Sequence, residues 1–211
     1  MNVSYNELKD RALSDLKGNW GNAIGATLVV GGIGIACQFV PFIGALGSWI
    51  ITGPLTLGMA IFMLNFARGK KPEVSEVFEG FQNFGNALGT YILMGLIVFG
   101  FTLLLIIPGI IRGIAYSQVF FILAKEPELG PLDALKKSRE MMDGHKMDFF
   151  LLSLSFIGWF LLSILTLYIG LIWLIPYMRV TLAHFHREIS KDEVEDTGNL
   201  STELDILDDA I

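Results

Sequence analysis

The chain is 211 residues long, 53% hydrophobic and only 17% charged, with a mean hydropathy of +0.57. A soluble domain carries about 25% charged residues, and the deficit here is gathered into three blocks, 21–67, 87–124 and 149–186, whose only charges are Arg112 and Arg179. Apolar runs of that length exclude an ordinary soluble core and point to membrane spans.

The net charge of −6 is a property of one end. Residues 188–211 hold nine acidic side chains against Lys191, and without them 14 basic and 12 acidic residues remain. The body is mildly basic, and no basic cluster reads as a nucleic-acid surface.

The first element is residues 4–20. Ser4 and Glu7 have the spacing of a capping box, and Tyr5, Leu8, Ala12, Leu16 and Trp20 fall on one helical face. This predicts an amphipathic helix in the membrane interface, with Trp20 at headgroup level. The charges in these twenty residues and the length of the apolar run behind them predict no cleavable signal peptide. Residues 21–40 form the first span, with Gly21-x-x-x-Gly25 as a small-residue contact pattern. The lone cysteine, Cys37, reads as a small buried apolar residue. A turn is expected at Pro41-Phe42-Ile43-Gly44, and then a second span to Ala67, kinked at Pro54.

Residues 72–84 repeat the first element, with Val74, Val77, Phe78, Phe81 and Phe84 as the apolar stripe. Asn83-Phe84-Gly85-Asn86-Ala87-Leu88-Gly89 then echoes Asn19-Trp20-Gly21-Asn22-Ala23-Ile24-Gly25 at an offset of 64, which marks an internal repeat. The second block, 87–124, is expected to turn at Pro108-Gly109. Residues 131–146 form a third amphipathic element, with Pro131 at its first position and Leu132, Leu135 and Met142 on one face. The third block, 149–186, is expected to turn between Gly170 and Pro176. Each of these two blocks is 38 residues long. As one helix it would reach roughly 57 Å, nearly twice a hydrocarbon core of about 30 Å, so each must fold back.

The expected fold is therefore all-α: six transmembrane helices as three proline-turned hairpins, each preceded by an amphipathic helix, over residues 1–187. The units run approximately 4–67, 72–124 and 131–187. The acidic tail, 188–211, follows without a span and reads as disordered through at least Gly198, with Leu200, Leu204, Leu207 and Ile211 at helical spacing beyond. Lys and Arg gather in 9–17, 68–71, 125–146 and 187–191, so the positive-inside rule puts both termini and all amphipathic helices in the cytoplasm.

The combination Leu16-Lys17-Gly18-Asn19-Trp20, Phe78-Glu79-Gly80-Phe81, Leu105-Ile106-Ile107-Pro108-Gly109-Ile110-Ile111, Met141-Met142-Asp143-Gly144-His145-Lys146 and Trp173-Leu174-Ile175-Pro176-Tyr177 resembles the bacterial integral membrane proteins grouped as domain of unknown function 975. The likeness covers about residues 1–188 and implies a polytopic cell-membrane protein. The layout is also similar to the membrane domain attached to some glycerophosphodiester phosphodiesterases. The resemblance brings no activity and no catalytic residues.

Arg112 and Arg179 lie four and three residues after their prolines. Each is a candidate lipid or anion contact, because an intramembrane charge is expensive. Each also stands close enough to the outer surface to snorkel. Asp143-Gly144-His145-Lys146 is a second candidate, either as a proton-responsive interfacial motif or as a helix terminator with Gly144 in the cap and cations at the negative end. His184 and His186 point about 200° apart on a helix and cannot share a metal. No acid lies within a span, and no Walker loop or dinucleotide fingerprint is present.

The expected function is a non-enzymatic envelope scaffold without a cofactor, contacting membrane lipids and, through its cytoplasmic helices and acidic tail, protein partners. The alternative is a small transporter or binder of an amphiphilic or anionic ligand at Arg112 and Arg179. A polar-lined cavity between hairpins would favour the second, and a filled bundle the first.

Overall fold

The computed structural model describes the backbone of residues 4–39 and 43–208 and the side chains of 4–39 and 47–190. Among these residues the chain forms ten α-helices, one 3-10 helix and no strand. They are α1 (Tyr5–Leu16), α2 (Trp20–Gln38), α3 (Ile43–Ala67), the 3-10 helix Val74–Asn83, α4 (Phe84–Leu104) and α5 (Ile106–Ala115). After these come α6 (Val119–Lys125), α7 (Pro131–Met141), α8 (Lys146–Leu154), α9 (Ile157–Leu165) and α10 (Leu171–Asp208).

The centre is α3. It packs against α1, α2, α4, α6, α10 and the 3-10 helix, and Phe62, Met63, Leu64 and Phe66 are buried along it. The closest crossing is with the 3-10 helix. A Cβ at Gly58 would collide with the Val77 carbonyl, and one at Gly80 with the Pro54 carbonyl and the Gly58 amide. Gly53 likewise lies against α4, with the Ala87 carbonyl 2.9 Å from where a Cβ would stand. Small residues let apolar helices approach at their backbones, where van der Waals contact is greatest. The expected pair divides: Gly25 meets Val74, while Gly21 has open space around it.

The 3-10 helix replaces an expected amphipathic α-helix, and its sequence shows why. Residues 73–84 read EVS-EVF-EGF-QNF, a period of three, which is the period of a 3-10 helix. Val74, Val77 and Gly80 turn to the core, with Val77 and Gly80 buried. Phe78, Phe81 and Phe84 form an exposed ladder with successive ring centroids 6.4 Å apart. Its capping box is formed by Glu73 and Glu76. The one expected at Ser4 and Glu7 is absent: Ser4 makes no side-chain cap bond, and Glu7 takes Arg11 at 2.6 Å.

The apolar stripe of α1 also has a different fate from the expected one. Leu8, Ala12 and Leu16 are fully buried against the chain's own α3 and α10, so this face is not offered to a membrane interface. On α7 the buried residues are Ala134, Leu135, Ser138 and Met141, while Leu132 is 68% exposed. Ser138 belongs to that face because its hydroxyl donates to the Ala115 carbonyl at 2.9 Å. Pro131 is at the start of α7, as its missing N–H allows. Cys37 is half-buried on α2 rather than buried.

The breaks fall before the prolines. Residue 105 is extended, and α5 starts at Ile106, so Pro108 lies in the first turn of a helix, where no amide donor is missed. Gly109 meets Thr102, with the Thr102 Cα 2.8 Å from a notional Cβ, which brings α5 tightly against α4. In the third block α9 ends at Leu165, Leu167 and Tyr168 take φ +53° and +65°, and α10 begins at Leu171 with Pro176 inside it. The first expected turn lies partly outside the described residues, and α3 already begins at Ile43. The backbone of α10 continues to Asp208, and the side chains of the tail's leucine stripe lie outside the described residues.

Candidate functional site

The expected site residues separate. Arg112 is half-buried on α5 with its guanidinium over the Phe101 ring of α4, 4.5 Å from the centroid. Its nearest helix start is Ile106, roughly 9 Å along the axis. Arg179 stands eight residues into α10, roughly 12 Å from its start. The expected depth was one turn, measured from Pro176; the helix begins five residues earlier, at Leu171, and that lengthens the reach Arg179 would need to snorkel.

Arg179 lines a cavity of about 360 Å³ between α3, α6 and α10. Thr56, Met59 and Met63 supply one wall, Ser117 and Phe120 another, and Leu182 adds to the third. The volume is in the range of small-ligand pockets. Among the described residues no acceptor bonds the Arg179 guanidinium. Thr56 spends its proton on the Thr52 carbonyl at 2.7 Å. The Ser117 oxygen accepts from Gln118 Nε2 at 2.8 Å, which leaves its own proton free. Gln118 is fully buried, and its side-chain carbonyl has no partner. The cavity is not the polar-lined one expected of a binder: it is an apolar trough whose polar groups are one cation without an acceptor among the described residues and one available hydroxyl, which is chemistry for an anionic head on an apolar body. A second cavity, about 320 Å³, is lined by Leu13, Trp20, Trp159, Trp173 and Tyr177 and has no cation.

The 143–146 motif is a junction. Gly144 takes φ +81° after α7, Lys146 bonds Asp143 at 2.7 Å, and His145 immediately precedes α8. The Asp143 carboxyl, bonded by Lys146, is held below the usual carboxylate range. His145 Nδ1 lies 3.5 Å from Asp148, whose other oxygen accepts from the Tyr5 hydroxyl at 2.9 Å. That bond ties α1 to α8, and no sequence signal announced it.

The histidines of α10 have separate partners, as their spacing requires. His184 meets Asp15 at 2.7 Å, and Arg11 reaches Glu188 at 3.4 Å, so α1 is clamped to α10. His186 is fully buried rather than interfacial and stacks on Phe121 at 5.3 Å. Its pKa is pushed down to about 3, first by burial and then by Lys125, Arg68 and Lys137. Among the described residues no group of three His, Cys, Asp or Glu side chains is placed to hold a metal.

Five helical stretches, Trp20–Gln38, Gly47–Ala67, Val74–Leu104, Ile106–Lys125 and Lys146–Leu165, are long and apolar enough to cross a membrane. The described residues are thus all-helical, with a length and composition of helix compatible with a membrane protein. The chain belongs to the family of proteins of unknown function DUF975, whose model matches residues 1–108 and 97–193. No curated protein and no solved structure matches the chain.

Proposed function

We propose that this chain is a six-pass cell-membrane protein that holds an anionic amphiphile, such as a lipid, in the α3–α6–α10 cavity, and that it is not an enzyme. The observation that carries the reading is Arg179 itself. It is an accessible cation with no acceptor among the described residues, on the wall of an apolar trough. An unpaired charge against hydrocarbon is expensive, and an anionic head supplies the missing partner. Arg112, held over Phe101, has no share in this cavity.

The sixth pass is the apolar start of α10, 171–182, and the six passes form three hairpins in three related units. Matching contacts support that reading. Gly18 and Gly144 take φ +84° and +81° at the same place in their units. Asn19, Asn83 and His145 each immediately precede a helix. Asn22 donates to the Pro72 carbonyl at 3.1 Å, and Asn86, its counterpart 64 residues on, donates to the Pro127 carbonyl at 3.0 Å. The basic loops support a cytoplasmic position for both termini.

Purification in a mild detergent with mass spectrometry of bound lipid tests the proposal. Arg179→Gln is expected to lose anionic lipid that wild type and Arg112→Gln keep. Equal retention in all three contradicts it. The scaffold reading, with protein partners at the surface, is favoured by one separate feature, the exposed Phe78–Phe81–Phe84 ladder. A photo-cross-linker at Phe81 that captures no protein in native membranes sets that reading aside.

A further inference from the structure

The three helices that wall the Arg179 cavity reach a polar end together. There α3 finishes at Ala67 with Arg68 next, α6 finishes at Lys125, and α10 passes Arg187. These cations occupy corresponding places, the close of each apolar block. We propose that Arg68, Lys125 and Arg187 form a site for a phosphate-class anion, separate from the Arg179 cavity.

The contacts draw the three together. Arg187 donates to the carbonyl of Ala67, the residue before Arg68. Lys125 Nζ donates to Ser190 Oγ at 3.1 Å, and that oxygen lies 3.4 Å from His186 Nε2. Arg68, Arg187 and Lys137 all act electrostatically on Lys125. The carboxylate that faces them is Glu126, which bonds Lys137 at 2.6 Å. Among the described residues, four cations and one carboxylate gather there. The second observation is His186, fully buried beneath this group with Nδ1 lacking a hydrogen-bond partner. Arg68 bonds no acceptor among the described residues.

A phosphate matches this set. Guanidinium forks bind phosphate oxygens in pairs, and an ammonium adds a point charge. Basic pockets between membrane helices hold phospholipid heads by the same chemistry as free phosphate. The site is about 12 Å along α10 from Arg179, eight residues at helical rise, so the two are read independently.

The test uses the full chain, first in neutral detergent titrated with inorganic phosphate, then in bilayer discs of phosphatidylglycerol against phosphatidylcholine. Wild type is expected to be stabilised by phosphate, by phosphatidylglycerol, or by both, the pattern telling free phosphate from a lipid head. Arg68→Gln with Lys125→Gln is expected to weaken that binding about tenfold or more. Lys17→Gln with Lys146→Gln removes equal charge outside the group and is expected to change it less than about twofold. Arg179→Gln is expected to leave the stabilisation by inorganic phosphate intact, and that arm keeps a failure here distinct from a failure of the cavity reading. Should the double variant not fold, Arg68→Gln alone carries the test, because among the described residues that side chain makes no hydrogen bond to lose. No binding by wild type to either probe, or equal loss in the two double variants, overturns the proposal.

Discussion

Arg112 and Arg179 hold corresponding places after a proline, and the fold treats them oppositely. Arg112 sits near its helix start and covers a neighbouring aromatic ring. Arg179 sits deeper, on a cavity wall, and bonds no protein acceptor among the described residues. The difference comes from where each helix begins. One break comes three residues before its proline, at Leu105, and the other ends at Gly170, six residues before Pro176. Distance from the helix start is thus set by the backbone break, and the proline is only an approximate marker of it.

The comparison breaks most completely if the central helix is displaced. Gly58→Val puts a branched side chain where the Val77 carbonyl already stands. It is expected to cost more than about 4 kcal/mol, enough to abolish a folded monodisperse protein in detergent, since backbone can give way less than a side chain. A folded Gly58→Val protein would contradict the close crossing of α3 and the 3-10 helix.

Acid comes next. Burial keeps His186 neutral, with a pKa of about 3 against an ordinary 6.5. The unfolded chain therefore binds the extra proton between those values, and stability is full above about pH 6.5 and falls as pH drops towards 3. The slope for one such group is about 1.4 kcal/mol per pH unit. His184, also lowered by burial despite Asp15, adds in the same direction. Thermal unfolding at pH 7 and pH 5 should show a decline that His186→Gln reduces; an unchanged decline would place the acid sensitivity elsewhere.

Smaller effects sharpen the contrast between the arginines. Arg179→Met is expected to stabilise the delipidated protein by about 1 kcal/mol, because it replaces an unpaired cation by an apolar chain of similar size. Arg112→Met is expected to destabilise it by about 0.5–1 kcal/mol through loss of the contact with Phe101. Opposite shifts in melting temperature are the result to look for, and shifts of one sign would erase the distinction. Asn86→Ala should cost about 1 kcal/mol, one net hydrogen bond to the Pro127 carbonyl.

Long apolar runs were legible in the sequence because hydropathy and length are strong signals, and five helices of crossing length correspond to them. The 3-10 helix was legible too, in the three-residue period of 73–84, but an amphipathic α-helix was the easier reading of Val74, Val77 and Phe81. The third turn was not. Leu167 and Tyr168 take left-handed backbone angles that residue type does not announce. The cavity was half legible: Arg179 stood out as a charge in an apolar block. Ser117 and Thr56 could join it only once α3, α6 and α10 were set side by side. Arg68, Lys125 and Arg187 looked like separate loop charges, and their common place at the end of each block was the unused signal.

The most direct measurement is an experimental structure of the full chain in lipid discs, examined at the α3–α6–α10 cavity. The account predicts an elongated bound molecule with an anionic group within hydrogen-bond distance of the Arg179 guanidinium. A cavity filled by protein side chains, or Arg179 turned out to the membrane surface with nothing bound, would contradict it.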